Sequence, residues 1–189
     1  MTERELLVDC LRRLNRLGVP YMLTGSMASN FWGVPRTTHD LDFVLAHERK
    51  HAARIVAAFA DDYDVDEVSV LGSLDAPYVF NAIDRRSALK IDFWTLRQDE
   101  FERQMFARRL EVALFGEPAW IATAEDTLLH KLLWNRITPS ERQLGDAAGI
   151  VAVQGPALDR NYLDRRAREL DLGKALGDLL EGRIRPKGT

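Results

Sequence analysis

Two aspartates one residue apart open a predicted strand in the run Asp40-Leu41-Asp42. Because side chains alternate along a strand, both carboxylates point to the same face. Like charges held this close repel, and a bound cation relieves that repulsion. Upstream, Gly25-Ser26 forms a turn between a short apolar strand and a helix, which offers backbone N–H groups and a hydroxyl to a phosphate. A metal site combined with a phosphate site is typical of nucleotide chemistry.

A third carboxylate, Asp92, lies on a predicted strand over residues 89–96, on the same face as Lys90 and Trp94. If this strand pairs beside the strand over residues 41–45, Asp40, Asp42 and Asp92 converge. Three carboxylates can hold two Mg²⁺ ions, or Mn²⁺, for in-line nucleotidyl transfer. Two simpler readings remain open at this point: a solvated strand end for the aspartate pair, and an ion pair of Asp92 with Lys90 or Arg97.

The elements that must position these residues follow from apolar periodicity and capping signals. Thr2 and Glu5 form a capping-box pattern at the start of the first helix. We predict helices over 2–17, 27–32, 47–61, 65–74 and 98–109, strands over 21–24 and 41–45, a hairpin over 78–96 and a strand pair over 111–121. From Thr123 onward the pattern is helical, with a single helix or a helical pair over 162–180. We therefore expect an α+β core over residues 1–122 and a helical C-terminal subdomain over 123–189 that packs on it.

Bulk properties exclude several classes of protein. The chain has 189 residues, a net charge of −3 and 46% apolar residues, so no global basic field indicates a large nucleic-acid interface. Its one cysteine, Cys10, cannot form an intramolecular disulfide, which fits a reducing compartment. The N-terminus is charged and no apolar run approaches the length of a membrane span. We expect a cytoplasmic protein that does not engage a membrane.

Three motifs together resemble the signature of the nucleotidyltransferase superfamily, whose fold is of the polymerase-beta type. They are Gly25-Ser26, then Asp40-Leu41-Asp42, then Lys90-Ile91-Asp92. The resemblance implies a short mixed sheet flanked by helices, a helical C-terminal subdomain and an active site in the cleft between them.

Further runs are similar to the AbiEii/MenT-like branch of that superfamily, which includes toxins of bacterial toxin–antitoxin systems. The run from Gly33 to Asp42 carries this similarity, and it extends through Ala124 to Lys131 and through Arg142 to Asp146, so that it covers roughly residues 5 to 155. Small-molecule nucleotidyltransferases of the lincosamide-resistance type carry a similar run. Two departures stand out: thirteen residues separate Ser26 from Asp40, and Gly145 reduces the charge beside Asp146.

The resemblance implies a role for each matching residue. Gly25 and Ser26 would hold the β- and γ-phosphates. Asp40, Asp42 and Asp92 would bind metal, and Asp92 would also help to activate the acceptor hydroxyl. Lys131 would contact the triphosphate. Asp146 would contact the base or support another site residue, and Arg36 would pair with a phosphate or brace Asp40.

The expected activity is therefore Mg²⁺-dependent transfer of a nucleotidyl group from an NTP to an acceptor hydroxyl. The favoured acceptor is an RNA end, in particular of tRNA, with the protein acting as a toxin restrained by an antitoxin protein. One alternative is a small-molecule nucleotidyltransferase that modifies an antibiotic, which the mild acidity favours because RNA binding usually needs a basic surface. The other is a non-catalytic protein of the same fold that binds a nucleotide or a partner.

Overall fold

The computed structural model describes residues 1–186, and its contacts divide the chain into two compact units. The sheet unit comprises Met1–Thr24 and His39–Ala122, and the helical unit comprises Gly25–Thr38 and the chain from Thr123 onward. One unit boundary falls after Ala122. The predicted division into a core over residues 1–122 and a C-terminal subdomain stays a prediction. The segment Gly25–Thr38 differs from the predicted division, because its contacts group it with the C-terminal helices.

The sheet unit contains one seven-stranded mixed sheet. Its strands are β1 (Tyr21–Leu23), β2 (Leu41–Leu45), β3 (Tyr63–Asp64), β4 (Val79–Asp84), β5 (Lys90–Thr95), β6 (Leu110–Leu114) and β7 (Glu117–Ile121), in the order β3-β4-β5-β2-β1-β7-β6. The pairs β2–β5 and β1–β7 are parallel, whereas the other neighbours are antiparallel. The predicted hairpin (β4 and β5) and strand pair (β6 and β7) are confirmed. Strand β3 was not predicted, because two residues are too few for a periodic pattern.

Four α-helices accompany this sheet: α1 (Glu3–Leu17), α3 (Ala52–Phe59), α4 (Glu67–Gly72) and α5 (Glu100–Ala107). The capping box of Thr2 and Glu5 is present at the start of α1, and Gly18 ends the helix with a left-handed φ of 70°. The single helix predicted over residues 47–61 is wrong in its first turn, which is a 3₁₀ segment over Arg49–His51. The core beneath the sheet includes stacked Phe80 and Phe93, whose ring centroids lie 5.0 Å apart.

The helical unit contains α2 (Gly25–Trp32), α6 (Ala124–Ile137), α7 (Glu141–Gln154), α8 (Arg160–Glu169) and α9 (Gly173–Leu180). Thr123 caps α6 by accepting a hydrogen bond from the Asp126 amide, as its sequence pattern predicts. Residues after α2 pass very close to α7, because a Cβ placed on Gly33 would lie 2.7 Å from the Ile150 nitrogen. This close approach explains why the segment after Thr24 belongs with the helices. None of the helices within residues 1–186 is long and apolar enough to cross a membrane.

Candidate active site

Two of the three predicted metal carboxylates are direct neighbours in the sheet. Strands β2 and β5 pair in parallel, and their register places Asp42 opposite Asp92. Facing residues of paired strands share one side of the sheet, so the strand pairing on which the predicted convergence depends is present. The residue pairs of β2 and β5 begin with Leu41 and Ile91, and Asp40 and Lys90 are the residues directly before this pair.

Side chains of the sheet unit hold both carboxylates in place. The Lys90 ammonium lies 2.9 Å from Asp92 Oδ1, and the Asn81 amide donates a hydrogen bond to the same oxygen. The Trp94 indole N–H donates to Asp42 Oδ1 at 3.3 Å. The two carboxylates are therefore oriented by donors on the same face of β4 and β5.

The pKa of Lys90 is raised by the negative charges of three carboxylates. Its hydrogen bond with Asp92 raises this pKa most, and the negative charges of Asp92, Asp40 and Asp42 raise it further against the opposing effect of burial. All three carboxylates thus act on a single ammonium group. We refer to Asp40, Asp42, Asp92 and Lys90 as the carboxylate cluster.

The donor set of this cluster suits a hard divalent cation such as Mg²⁺ or Mn²⁺, which prefers carboxylate oxygens. Within residues 1–186, no group of three or more His, Cys, Asp or Glu side chains is arranged as a metal site. Asp92 pairs with the Lys90 ammonium at 2.9 Å, and the negative charges of Asp40 and Asp42 also stabilise its positive charge. The cluster is thus chemically fitted to a cation.

The predicted phosphate-binding residues lie in the helical unit, at the start of α2. Gly25 has a left-handed φ of 63°, a conformation that favours glycine over residues with a Cβ. Ser26 follows in the first helical turn, where backbone N–H groups have no intrahelical acceptor. The Ser26 hydroxyl is buried and accepts a hydrogen bond from the Arg36 guanidinium at 2.8 Å. A helix start beside a guanidinium group is an arrangement suited to an anion.

Asp146 lies at the centre of an ion cluster in the same unit. Arg36 binds it in a bidentate manner, from Nε to Oδ1 at 2.6 Å and from Nη2 to Oδ2 at 2.8 Å. The Lys131 ammonium also binds Oδ2 at 2.8 Å, and the side chains of Lys131 and Asp146 are only 6% and 5% exposed. Burial alone would raise the pKa of Asp146, but the hydrogen bonds and charges of Arg36 and Lys131 outweigh it and lower this pKa. The carboxylate is therefore ionised and paired.

These contacts give more definite positions to three predicted site residues. Arg36 was expected to pair with a phosphate or to brace Asp40, and within the helical unit its guanidinium binds Asp146, Ser26 and the Thr37 carbonyl. Lys131, expected to contact the triphosphate, is buried against Asp146. Asp146, whose role the neighbouring Gly145 left uncertain, joins both cations. A direct contact of Lys131 with a nucleotide stays a prediction.

Two asparagines contribute to these arrangements and were missed in the sequence. Asn81 faces Asp92 across the β4–β5 hairpin, and Asn30 fixes the backbone of Arg36 through hydrogen bonds to its N–H and C=O at 3.1 and 2.7 Å. The hairpin register, counted outward from its turn, was a signal that could have aligned Asn81 with Asp92. No comparable signal marks Asn30, because its partner lies in an irregular loop.

The structure therefore groups the predicted residues in two sets. Asp40, Asp42 and Asp92 belong to the sheet unit. The residues expected to bind the nucleotide belong to the helical unit and are Gly25, Ser26, Arg36, Lys131 and Asp146.

Solved structures with a similar fold include nucleotidyltransferase-like proteins. An antigenic nucleotidyltransferase-like protein from Paracoccidioides brasiliensis matches with a TM-score of 0.60 and 14% identity, over 98% of this chain and 94% of that one. The antibiotic-resistance factor ANT(2'')-Ia in complex with adenylyl-2''-tobramycin matches with a TM-score of 0.58 and 13% identity, over 97% and 99%. Its solution structure matches with a TM-score of 0.56 and 14% identity, over 95% and 94%.

No protein-family model and no curated protein sequence matches the chain. The structural matches nevertheless extend over nearly the whole length of both partners, and they agree with the mixed sheet and flanking helices described above. The predicted fold class is thereby confirmed: the chain has a nucleotidyltransferase-like fold.

Proposed function

We propose that this protein is a nucleotidyltransferase that transfers a nucleotidyl group from an NTP to an acceptor hydroxyl and releases pyrophosphate. The observation that carries the proposal is the register of β2 and β5, in which Asp42 pairs with Asp92. Asp40 directly precedes β2, and Lys90 begins β5. The nucleotidyltransferase-like fold supports the same reaction class. A pair of carboxylates on adjacent strands gives the sheet a concentrated negative charge, which nucleotidyl transfer uses to bind divalent cations.

In this proposal Asp40, Asp42 and Asp92 would hold Mg²⁺ or Mn²⁺. The bound ion would neutralise the charge that develops on the phosphates and favour ionisation of the attacking hydroxyl. Both donors to Asp92, from Lys90 and Asn81, bind Oδ1. The other oxygen, Oδ2, would accept the acceptor's proton while the hydroxyl oxygen forms its bond to the α-phosphorus and the bond to pyrophosphate breaks.

The helical unit would bind the triphosphate. The backbone N–H groups at the start of α2 and the Ser26 hydroxyl would contact the β- and γ-phosphates. Arg36 and Lys131 carry two positive charges against the one negative charge of Asp146, so this ion cluster has a net charge of +1. Asp146 would hold the Arg36 guanidinium in place beside Ser26, and the surplus charge would attract the triphosphate.

The proposal is tested by incubating the protein with Mg²⁺, α-labelled NTPs and total tRNA, beside an Asp42→Asn variant. We expect the labelling rate of the variant to be at least about 100-fold lower than that of the wild type, because the substitution removes a proposed metal ligand. Asp61→Asn serves as the matched control, since Asp61 is exposed in the turn after α3. Equal labelling by the wild type and the Asp42 variant would contradict the mechanism.

For the acceptor we propose an RNA end, in particular of tRNA, and a toxin role controlled by an antitoxin protein. This part rests on the sequence similarity to the AbiEii/MenT-like branch. The helical unit offers only a modest basic surface, because Arg166 in the cluster Arg165, Arg166 and Arg168 is buried and pairs with Glu169. Labelled tRNA formed by the wild type, with affinity that weakens steeply as salt increases, would support an RNA acceptor.

A small-molecule acceptor is the second candidate, and two observations favour it. The chain has a net charge of −3, and it shares its fold with a structure that contains adenylyl-2''-tobramycin. If an aminoglycoside is added to the same assay, labelling of the aminoglycoside without labelling of tRNA would favour this candidate. Calorimetry that detects no Mg²⁺-dependent NTP binding would instead support a non-catalytic protein of the same fold.

A further inference from the structure

The carboxylate cluster contains its own cation. Asp42 on β2, Asp92 on β5 and Asp40 directly before β2 contribute three negative charges, and Lys90 contributes one positive charge, which leaves these four residues a net charge of −2. Lys90 begins β5 and lies two residues before Asp92 on the same strand face. It is therefore next to Asp92 along its own strand, and the negative charges of Asp40 and Asp42 also act on it.

The Lys90 ammonium binds a carboxylate oxygen of Asp92, a residue that would hold the metal ion in the proposed function. Its Nζ lies 2.9 Å from Asp92 Oδ1, where Asn81 also donates. Half of the Lys90 side chain is exposed, so the flexible stem can swing the ammonium away from the sheet. A divalent cation that enters the cluster meets both the repulsion of a positive charge and the competition of an existing hydrogen bond.

We propose that Lys90 is an internal counter-cation of the carboxylate cluster. It offsets part of the negative charge of the cluster while no metal is bound, and it competes with divalent cations for Asp92, so it weakens their binding to the nucleotide-free protein. This inference rests on the proposed function, since it takes the three aspartates as the metal ligands. Lys90 is thus a residue that sets metal affinity, in addition to the three aspartates themselves.

Calorimetric titration of the nucleotide-free protein with Mn²⁺ and with Mg²⁺ tests the proposal without measuring activity. We expect Lys90→Met to bind Mn²⁺ about tenfold more tightly than the wild type, because one opposing charge is removed from a partly hydrated site. Lys90→Gln keeps a hydrogen-bond donor without the charge and is expected to bind tightly as well. Lys90→Arg keeps the charge and is expected to resemble the wild type. Lys50→Met is the matched control, because it removes an exposed lysine charge that pairs with Glu48.

Thermal unfolding of the same variants gives an independent readout. Without metal, Lys90→Met is expected to have a lower Tm than the wild type, since Asp92 loses its ion-pair partner and the cluster loses one positive charge. Saturating Mn²⁺ is expected to raise the Tm of this variant more than that of the wild type, because ligand binding stabilises the folded state according to affinity. Both differences are expected to diminish at high ionic strength.

The outcomes separate this inference from the proposed function. Equal Mn²⁺ affinity in the wild type and Lys90→Met, or no binding by either protein, overturns the role of Lys90. If Asp42→Asn abolishes Mn²⁺ binding while Lys90→Met leaves it unchanged, the carboxylates bind metal and only the inference about Lys90 fails. If Lys90→Met binds Mn²⁺ more tightly but no protein labels any acceptor, the inference stands and the proposed reaction fails.

Discussion

Replacement of Asp146 by asparagine is expected to destabilise the protein strongly. The substitution preserves the shape of the side chain but removes the negative charge that balances Arg36 and Lys131. Because the Lys131 side chain is only 6% exposed, its ammonium cannot regain full hydration in the folded state. Removing one partner of a buried ion pair costs about 3–5 kcal/mol, which is a large part of the stability of a typical domain.

Urea denaturation, followed by circular dichroism, measures this loss as a change in the free energy of unfolding. Lys131→Met is expected to cost less, about 1–3 kcal/mol, because Asp146 keeps its bidentate partner Arg36. The double variant Asp146→Asn/Lys131→Met is expected to lose less stability than the sum of the two single losses, by about 1 kcal/mol or more. Both single substitutions remove the same contact between Asp146 and Lys131. Asp164→Asn is the matched control and should stay within about 0.5 kcal/mol of the wild type, because Asp164 is exposed.

The acid dependence of stability provides a second measurement on the same proteins. The folded-state pKa of Asp146 is lowered, so its ionised form contributes stability above the ordinary aspartate pKa of about 3.9. That contribution is lost as the pH falls through the lowered folded-state pKa. The wild type should therefore lose more stability than Asp146→Asn on acidification below about pH 4. An Asp146→Asn variant as stable as the control, with the same acid dependence as the wild type, would refute the reasoning.

Three further predictions concern other parts of the chain. If the helical unit binds the triphosphate as proposed, Ser26→Ala should raise the KM for the NTP about tenfold with a smaller change in kcat, because the hydroxyl proposed to bind the phosphates is removed. Steady-state kinetics with Asp61→Asn as control measures both constants. Burial lowers the pKa of His47, so the free energy of unfolding should fall as the pH drops below about 6.5. Urea titrations at about pH 5 and 7.5 should show a smaller pH dependence in His47→Asn than in the wild type. Gly33→Ala should cost about 1–3 kcal/mol in thermal unfolding, since its Cβ would meet backbone atoms of α7, whereas Gly177→Ala, with open space around it, should not.

The opposite results have equally clear meanings. An unchanged KM in Ser26→Ala would show that the Ser26 hydroxyl does not bind the phosphates. A His47→Asn variant with the same pH dependence as the wild type would assign that dependence to other groups. A fully stable Gly33→Ala would contradict the close approach of α2 and α7.

Local features of this protein could be predicted from the sequence because they depend on residues near one another in the chain. The capping box of Thr2 and Glu5, the left-handed end of α1 at Gly18 and the cap at Thr123 each involve only one helical turn. The same holds for the strand that carries Asp42 and for the hairpin that carries Asp92, since alternation with period two assigns their faces. The nucleotidyltransferase-like fold was accessible as well, because its three motifs occur in a recognisable order.

Contacts between distant segments were decided by the tertiary structure alone. The sequence made a pairing of β2 with β5 possible, but only the folded sheet fixed the register that places Asp42 opposite Asp92. Arg36 and Asp146 are separated by 110 positions, and nothing in either local sequence identifies the other as its partner. The grouping of Gly25–Thr38 with the C-terminal helices depends in the same way on the packing of Gly33 against α7. Such contacts form only when distant chain segments are brought together, so the sequence determined which residues carry charge and the fold decided which charges meet.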